Sequence, residues 1–307
     1  MKKRPAFEKV TMVHFDVLGT DTGKFTTEEV RPRSKPSKAT SRTIAFFPGQ
    51  YQEPPNLAPG LCSLDLAHEV PARANITVES ITASSFKINL ETWGNSKLYS
   101  ASATWMEHKG TARECFSGHF DTQELMQGSG GFKFTKKGAR SENSKEIRFP
   151  HAFKRNCEVV CWLSRLDMAG GETNYRLRAY ATNMTPHGFT AHIDTWGDSV
   201  LNGAAMTWIA FPKNKRLVQS GSFGTGDVRS WSNPKPKNST RVNFSQNAFQ
   251  RKPTVLVALN MLDMGGNSDL RIRVHADEVT EQGFRWHLDT WDDSTLYAAG
   301  ASWIALG

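Results

Sequence analysis

The chain has 307 residues, a formal net charge of +8, nine tryptophans and eighteen phenylalanines. That length corresponds to two or three ordinary domains, and the apolar and aromatic content suffices for packed cores, which excludes general disorder. No uninterrupted apolar stretch is as long as a membrane span requires, so membrane insertion is not expected.

At the amino terminus, the basic residues Met1 to Arg4 are followed by Pro5, Ala6, Phe7, Glu8 and Lys9, where a secretory signal would be apolar. A cytoplasmic or non-classically secreted protein is therefore expected. The positive charge raises the question of nucleic acid, because lysines and arginines that neutralise phosphates drive such binding. Much of it, however, is concentrated in two stretches, Arg31, Arg33, Lys35 and Lys38, and Lys133, Lys136, Lys137 and Arg140. These are read as solvated loops, and no nucleic-acid partner is expected. Cys62, Cys115, Cys157 and Cys161 form no disulfide framework. The last two, four apart on a strand, would lie roughly 13 Å apart at strand rise, too far to bridge. No second Cys/His pair accompanies them, so no metal and no cofactor are expected.

Along the chain the same pattern returns three times. Its first part is a Leu-Asp pair: Leu64 and Asp65, Leu166 and Asp167, Leu262 and Asp263. Next comes an arginine, Arg73, Arg176 or Arg271, thirteen residues before a phenylalanine, Phe86, Phe189 or Phe284. The run from that Phe ends in Thr-Trp, at Trp93, Trp196 and Trp291. A polar turn follows, and a further run ends in a second Trp, at Trp105, Trp208 and Trp303. Ser117 and Gly118 match Ser220 and Gly221 at the openings of the second and third copies, whereas the first copy shows no such pair. The period is about one hundred residues, a domain rather than a solenoid repeat. Modules are expected over residues 1–109, 110–213 and 214–307.

Period-two alternation predicts strands. Phe284, Trp286, Leu288 and Thr290 point to one face, and Arg285, His287, Asp289 and Trp291 to the other. The run Leu270 to His275 sets Arg271, Arg273 and His275 together. No long helical period is present. The fold class predicted is all-β, with three tandem six-stranded antiparallel sandwiches.

The repeated Phe-x-x-x-x-x-Thr-Trp, the polar turn and the following run to Trp-Ile-Ala resemble the C-terminal half of the H-type lectin module, the family of the snail agglutinins and the discoidin C-terminal domains. The third copy resembles it over nearly its whole length, the second after Phe149 and the first after Leu64. The resemblance implies six-stranded β-sandwiches that assemble in threes around an axis. It also implies metal-free binding of galactose-type sugars, N-acetylgalactosamine above all, in clefts between neighbours. Residues matching the family's sugar ligands are Arg73, Arg176 and Arg271, the tryptophans Trp93, Trp196 and Trp291, and a tyrosine six residues on, Tyr99 and Tyr297; the second copy has Asn202 there. Because three copies stand where the family uses three chains, an intramolecular pseudo-threefold trimer is expected, monomeric or pairing with a second chain.

There are departures. After the Trp, the snail agglutinin has His where this chain has Gly94, Gly197 and Asp292. The family's loop aspartate is missing from the third copy's loop, Trp231 to Asn238, leaving Asn233 and Asn238 as candidate substitutes. Absence of the Tyr at Asn202 predicts that the second copy's site is the weakest.

Each candidate also has a structural reading. Trp105, Trp208 and Trp303 read as core, and Trp93, Trp196 and Trp291 are compatible with either core or site. The three arginines could pair with nearby acids such as Asp194 or Asp289. His192 and His287 share a position that Asn89 occupies in the first copy, which speaks against a common His chemistry. No paired carboxylates on one module, nucleophile elbow or phosphate loop is found; Ser129, Gly130 and Gly131 lack the following Lys and helix. The sequence thus predicts a glycan-binding protein and no enzyme. The alternative reading is a structural or protein-interaction scaffold with degenerate sugar sites.

Overall fold

The structure, a computed structural model, describes residues 23–125, 142–171 and 173–307. The basic stretch Lys133 to Arg140, the Ser129 to Gly131 segment and the residues before Gly23 lie outside the described residues. Each copy contributes six strands. The first has β1 (Lys24–Thr26), β2 (Ala39–Ala45), β3 (Asn56–Leu66), β4 (Ala72–Glu79), β5 (Ser85–Glu91) and β6 (Leu98–His108). The second has β7 (Phe116–Asp121), β8 (Glu142–Arg148), β9 (Cys157–Met168), β10 (Tyr175–Thr185), β11 (Gly188–Asp194) and β12 (Leu201–Pro212). The third has β13 (Val218–Gly224), β14 (Ser239–Asn243), β15 (Thr254–Met264), β16 (Leu270–Thr280), β17 (Gly283–Asp289) and β18 (Leu296–Leu306). Short 3-10 turns are the only helical elements among the described residues, and no helix there is long and apolar enough to cross a membrane.

The sheets do not coincide with the copies. Each copy splits into two three-stranded halves, and each half continues into a neighbour. The three sheets run β1-β6-β3-β16-β17-β14, β13-β18-β15-β10-β11-β8 and β2-β5-β4-β9-β12-β7, all antiparallel. The fourth strand of copy one thus pairs the third of copy two, copy two pairs copy three in the same way, and copy three returns to copy one. This ring of pairing covers one end of the third and fourth strands, which would be open edges in an isolated copy, with four residue pairs at each junction.

Alternation explains the cores. Phe284, Trp286, Leu288 and Thr290 are all buried. The second Trp of each copy packs edge-to-face on that copy's motif Phe: Trp105 on Phe86 at 5.2 Å, Trp208 on Phe189 at 5.4 Å and Trp303 on Phe284 at 5.3 Å. Such pairs add about 0.5–1.5 kcal/mol beyond burial. Opposite each Trp in the register stands a glycine: Gly118 opposite Trp208, Gly221 opposite Trp303, and Gly23, whose carbonyl accepts from the Trp105 N–H at 3.2 Å. The first copy therefore does have an opening that matches the other two, at Gly23 to Phe25. Its sequence there is Thr-Gly rather than Ser-Gly.

At the centre, the equivalent positions of the three third strands differ in size: Gly60, Trp162 and Ala258. Trp162 is fully buried, and its indole N–H donates to the Ser302 carbonyl at 3.0 Å. A Cβ on Gly60 would lie 2.7 Å from both the Trp162 and the Ala258 Cβ, so the missing side chain makes room for the large one. All four cysteines are free and buried. Burial pushes the Cys62 and Cys161 thiols up to about 12 and Cys157 to about 11, which makes them poor nucleophiles.

Candidate functional site

The shared sheets create three equivalent seams, each with an arginine from one copy directly opposite an aspartate from the next. The register pairs Arg73 with Asp167, Arg176 with Asp263 and Arg271 with Asp65. Arg73 Nε donates to Asp167 Oδ1 at 3.0 Å and Arg176 Nε to Asp263 Oδ1 at 3.1 Å. Arg271 Nε lies 3.5 Å from Asp65 Oδ1, an ion-pair distance without a directed hydrogen bond. The carboxylate partners are thus neither Asp194 nor Asp289 but the Leu-Asp residues of the neighbouring copy.

The Thr-Trp-x-x-Ser motif fixes the turn against the arginine strand. Thr92, Thr195 and Thr290 donate their hydroxyls to the carbonyls of Arg73, Arg176 and Arg271 at 2.6–2.7 Å. Ser96, Ser199 and Ser294 donate to the carbonyls of Pro71, Asn174 and Asp269, each at 2.5 Å. Between these two anchors Trp93, Trp196 and Trp291 are held half-buried at the seam. The residue after the Trp has a left-handed backbone, φ +59° at Gly94, +66° at Gly197 and +53° at Asp292. A Cβ on Gly94 would come within 2.8 Å of Arg73 Nη1, and one on Gly197 within 2.6 Å of Arg176 Nη1. Glycine therefore serves two needs here: it relieves the turn and lets the guanidinium lie beneath it.

A bulge in each copy brings in the next residue. Tyr99, Asn202 and Tyr297 are the extra residues in the pairing of β6 with β3, β12 with β9 and β18 with β15, beside Asp65, Asp167 and Asp263. Each cleft therefore takes this residue from the copy that supplies the aspartate. Arg73 and Trp93 face Asn202, Arg176 and Trp196 face Tyr297, and Arg271 and Trp291 face Tyr99. Asn202 Nδ2 donates to Asp167 Oδ1 at 3.1 Å. The tyrosine is thus missing from the Arg73 cleft, not from that of the second copy's own arginine, Arg176.

The sequence family follows from these repeats. The profile of the H-type lectin domain matches residues 41–106, 144–211 and 239–306, one match per copy. The chain belongs to the H-type lectin family. A curated protein of Fuscovulum blasticum, "ATP synthase subunits region ORF 7", is 37% identical over 59 residues. That match spans 19% of this chain and 51% of the relative, so the chain spans about half the length of the protein it matches.

H-type lectins are carbohydrate-binding proteins, and the three clefts of this one differ in electrostatics. In the Arg73 cleft, Nη1 donates to Asn95 Oδ1 at 3.1 Å and Ser96 Oγ at 3.4 Å. In the Arg176 cleft, Nη1 pairs with Asp198. Among the described residues, Nη2 of Arg73 and of Arg176 has no hydrogen-bond partner. Burial raises the Asp263 carboxyl above its ordinary range, more than Arg176 lowers it. Burial also acts upward on Asp198, but there the hydrogen bond from Arg176 and the backbone contacts prevail and its pKa falls. Both terminal nitrogens of Arg271 are engaged, Nη1 with Asp293 Oδ1 at 2.5 Å and Nη2 with Asp269 Oδ2 at 2.6 Å, while Nε lies 3.7 Å from Asp292 without a hydrogen bond. Arg33 adds a second cation, 2.5 Å from Asp65 Oδ2, and lies over the Tyr99 ring at 5.4 Å.

Several of these residues escaped the sequence. Arg31 and Arg33 lie in the loop as expected but carry specific contacts: Arg33, although exposed, pairs with the buried Asp65. Arg31 donates to the carbonyls of Tyr99 and Leu98 at 2.8 and 3.1 Å, as Arg229 does to Tyr297 and Leu296, both at 2.8 Å, which braces the bulge. Asn238 is no substitute for a ligand aspartate, because it is buried and accepts from Arg229 Nε at 2.5 Å. Trp231, two residues after Arg229, is 66% exposed and borders a groove of about 750 Å³ with Arg178, Tyr180 and Met261 along the copy two–copy three seam.

Proposed function

We propose that the protein is a multivalent lectin for galactose- or N-acetylgalactosamine-type glycans, acting through binding and not catalysis, with sugar seated in clefts between copies. The observation that carries this reading is the cross-copy Arg–Asp pair with a half-buried Trp beside it, built three times by the same anchors. A guanidinium supplies a rigid fork of donors for adjacent sugar hydroxyls, and the carboxylate supplies acceptors. An indole or phenol ring covers the apolar C–H face of a galactose-type ring. Arg73, Trp93 and Asp167 form one such set, and Arg176, Trp196, Asp263 and Tyr297 a second. The set of Arg271, Trp291, Asp65 and Tyr99 has its arginine occupied by carboxylates, which favours the degenerate-scaffold reading for that cleft alone. Single shallow sites bind weakly, and several on one body gain by avidity on a dense glycan surface.

The closed ring of pairing supports a chain that acts as a single-chain trimer. Light scattering at micromolar concentration is then expected to give the mass of one chain, or of two for a stacked pair. A glycan array probed with the whole chain in physiological salt tests the sugar reading: galactose-type glycans bind, and Arg73→Ala with Arg176→Ala abolishes the signal. Failure to bind any glycan, with the fold intact, would leave the scaffold reading. Salt-sensitive retention on heparin or DNA without glycan binding would point to the basic surface instead.

A further inference from the structure

Three positions on the outer face of each fourth and fifth strand are equivalent by register, and their chemistry differs among the copies. His275 stands directly opposite His287, Tyr180 opposite His192 and Thr77 opposite Asn89. Two residues further along the fourth strand, on the same face, are Asp277, Thr182 and Glu79. In copy one the pair is a plain amide–hydroxyl contact, Asn89 Nδ2 to Thr77 Oγ1 at 3.1 Å. In copy two Tyr180 stacks on His192, whose Nε2 lies 2.7 Å from Thr182 Oγ1. Copy three alone places two imidazoles and a carboxylate together.

There one ligand atom from each of His275, Asp277 and His287 falls within 4.8 Å of the others. His287 Nε2 is already 3.1 Å from Asp277 Oδ1, close to the separation of two ligands at about 2.0–2.2 Å from one tetrahedral ion. The His275 ring has no hydrogen-bond partner among the described residues, and its Nδ1 is buried. A buried imidazole nitrogen left unmet is costly unless something else occupies it. The rings stack in parallel at 4.4 Å, so one must turn about its Cβ–Cγ bond before both can point lone pairs at a shared ion. Around the cluster, the carboxylate of Asp289 and the guanidinium of Arg273 oppose each other electrostatically. Asp289 is itself paired with Lys237 and Arg273, which leaves Asp277 as the carboxylate beside the two rings that can serve as the anionic ligand.

We propose that His275, Asp277 and His287 bind a borderline divalent transition-metal ion of the Zn²⁺ type, separately from the sugar clefts. Two imidazoles and one carboxylate suit such ions better than Ca²⁺ or Mg²⁺, which take oxygen ligands. Their spacing hid them from the sequence, since they lie on two strands and follow no single-segment motif.

The test is titration of the whole chain with ZnCl2 by calorimetry, after chelator treatment, with the cobalt(II) absorption spectrum as a second readout. Wild type is expected to bind Zn²⁺, and His275→Tyr and His287→Asn are each expected to lose one equivalent or weaken it at least tenfold. Both substitutions carry the residue that a sister copy holds at the same place, so the fold has a precedent for them, and circular dichroism verifies it. His192→Asn, the same change in copy two, is expected to leave Zn²⁺ binding unchanged. Should a variant fail to fold, Asp277→Thr, again copy two's residue, takes its place. No binding to wild type, or undiminished binding in the folded variants, would overturn the proposal.

Discussion

The Arg176 and Arg271 clefts have the same backbone, register and anchoring hydroxyls, yet they use the arginine differently. In the first, Arg176 holds Asp263 and Asp198 and keeps Nη2 without a partner among the described residues. In the second, Asp65 is fully buried, and Asp269, Asp292 and Asp293 surround Arg271. The same residue thus has donors to spare for a ligand in one seam and serves mainly as an ion-pair hub in the other. Identity at a motif position therefore does not fix a role; what decides is how many neighbours compete for the same nitrogens.

The largest expected effect is on stability. Removing one partner of a buried ion pair costs about 3–5 kcal/mol. Arg271→Met should approach the lower end, because Arg33 still compensates Asp65. Denaturant unfolding should show that loss, while total sugar binding by the chain barely changes. If Arg271→Met instead removes a third or more of the sugar capacity at unchanged stability, the hub assignment fails.

Arg176→Met should do the reverse. Hydrogen bonds to charged groups contribute about 1.5–3 kcal/mol, so affinity at that cleft should fall about tenfold to a hundredfold. Stability should suffer less than with Arg271→Met, since Asp263 keeps some contact with solvent whereas Asp65 is fully buried. Calorimetry with a galactose-type glycoside measures the first and thermal unfolding the second. Equal stability losses in the two variants would erase the distinction between the clefts.

Acid probes the same contrast. Asp263 has a folded pKa above its unfolded value, so it protonates early as pH falls, and this group alone adds stability through that step. Arg176 then loses a charged partner while Asp198, shifted downward, remains ionised. As pH falls, sugar affinity at this cleft should therefore weaken before thermal stability does. Asp293, held low first by its hydrogen bond from Arg271, contributes stability above its unfolded pKa that is lost only as pH falls through its lower folded value. Affinity and stability falling together as the pH is lowered would contradict this order.

Much of this fold is legible in the sequence because alternation repeats. The Phe284 to Trp291 strand, the second tryptophans and the three arginines follow from spacing alone. What alternation cannot show is which copy a strand pairs with. Asn202 therefore reads as a defect of the second copy's own site, whereas pairing across copies seats it beside Arg73. The contact among the three third strands is similarly hidden, since nothing local in Gly60, Trp162 or Ala258 marks them as neighbours. Gly94 and Gly197 read as a lost ligand, yet their lack of a Cβ is what accommodates the arginine beneath the turn.

The smallest expected effect concerns that turn. Asp292 occupies with φ +53° the position where the other two copies have glycine. Its side chain adds a carboxylate 3.7 Å from Arg271 Nε and a Cβ where Gly94 and Gly197 leave space for the guanidinium. Asp292→Gly should relieve left-handed strain, offset by the greater chain entropy of glycine, for a net change within about 1 kcal/mol in either direction. It also takes one carboxylate from the hub and lets Arg271 settle under the turn as Arg73 and Arg176 do, closing the 3.5 Å gap to Asp65. A weak gain of sugar binding at the third cleft is expected, of a few-fold at most, because Asp269 and Asp293 still hold Nη2 and Nη1. Combining Asp292→Gly with Asp293→Asn, which matches Asn95 of the first copy, should enlarge the gain by weakening the strongest remaining competitor for Nη1. If the double variant binds no better than wild type in calorimetry, the residue after the Trp does not decide which arginine is available, and the difference between the clefts must come from Arg33 and Tyr99 on the opposite wall.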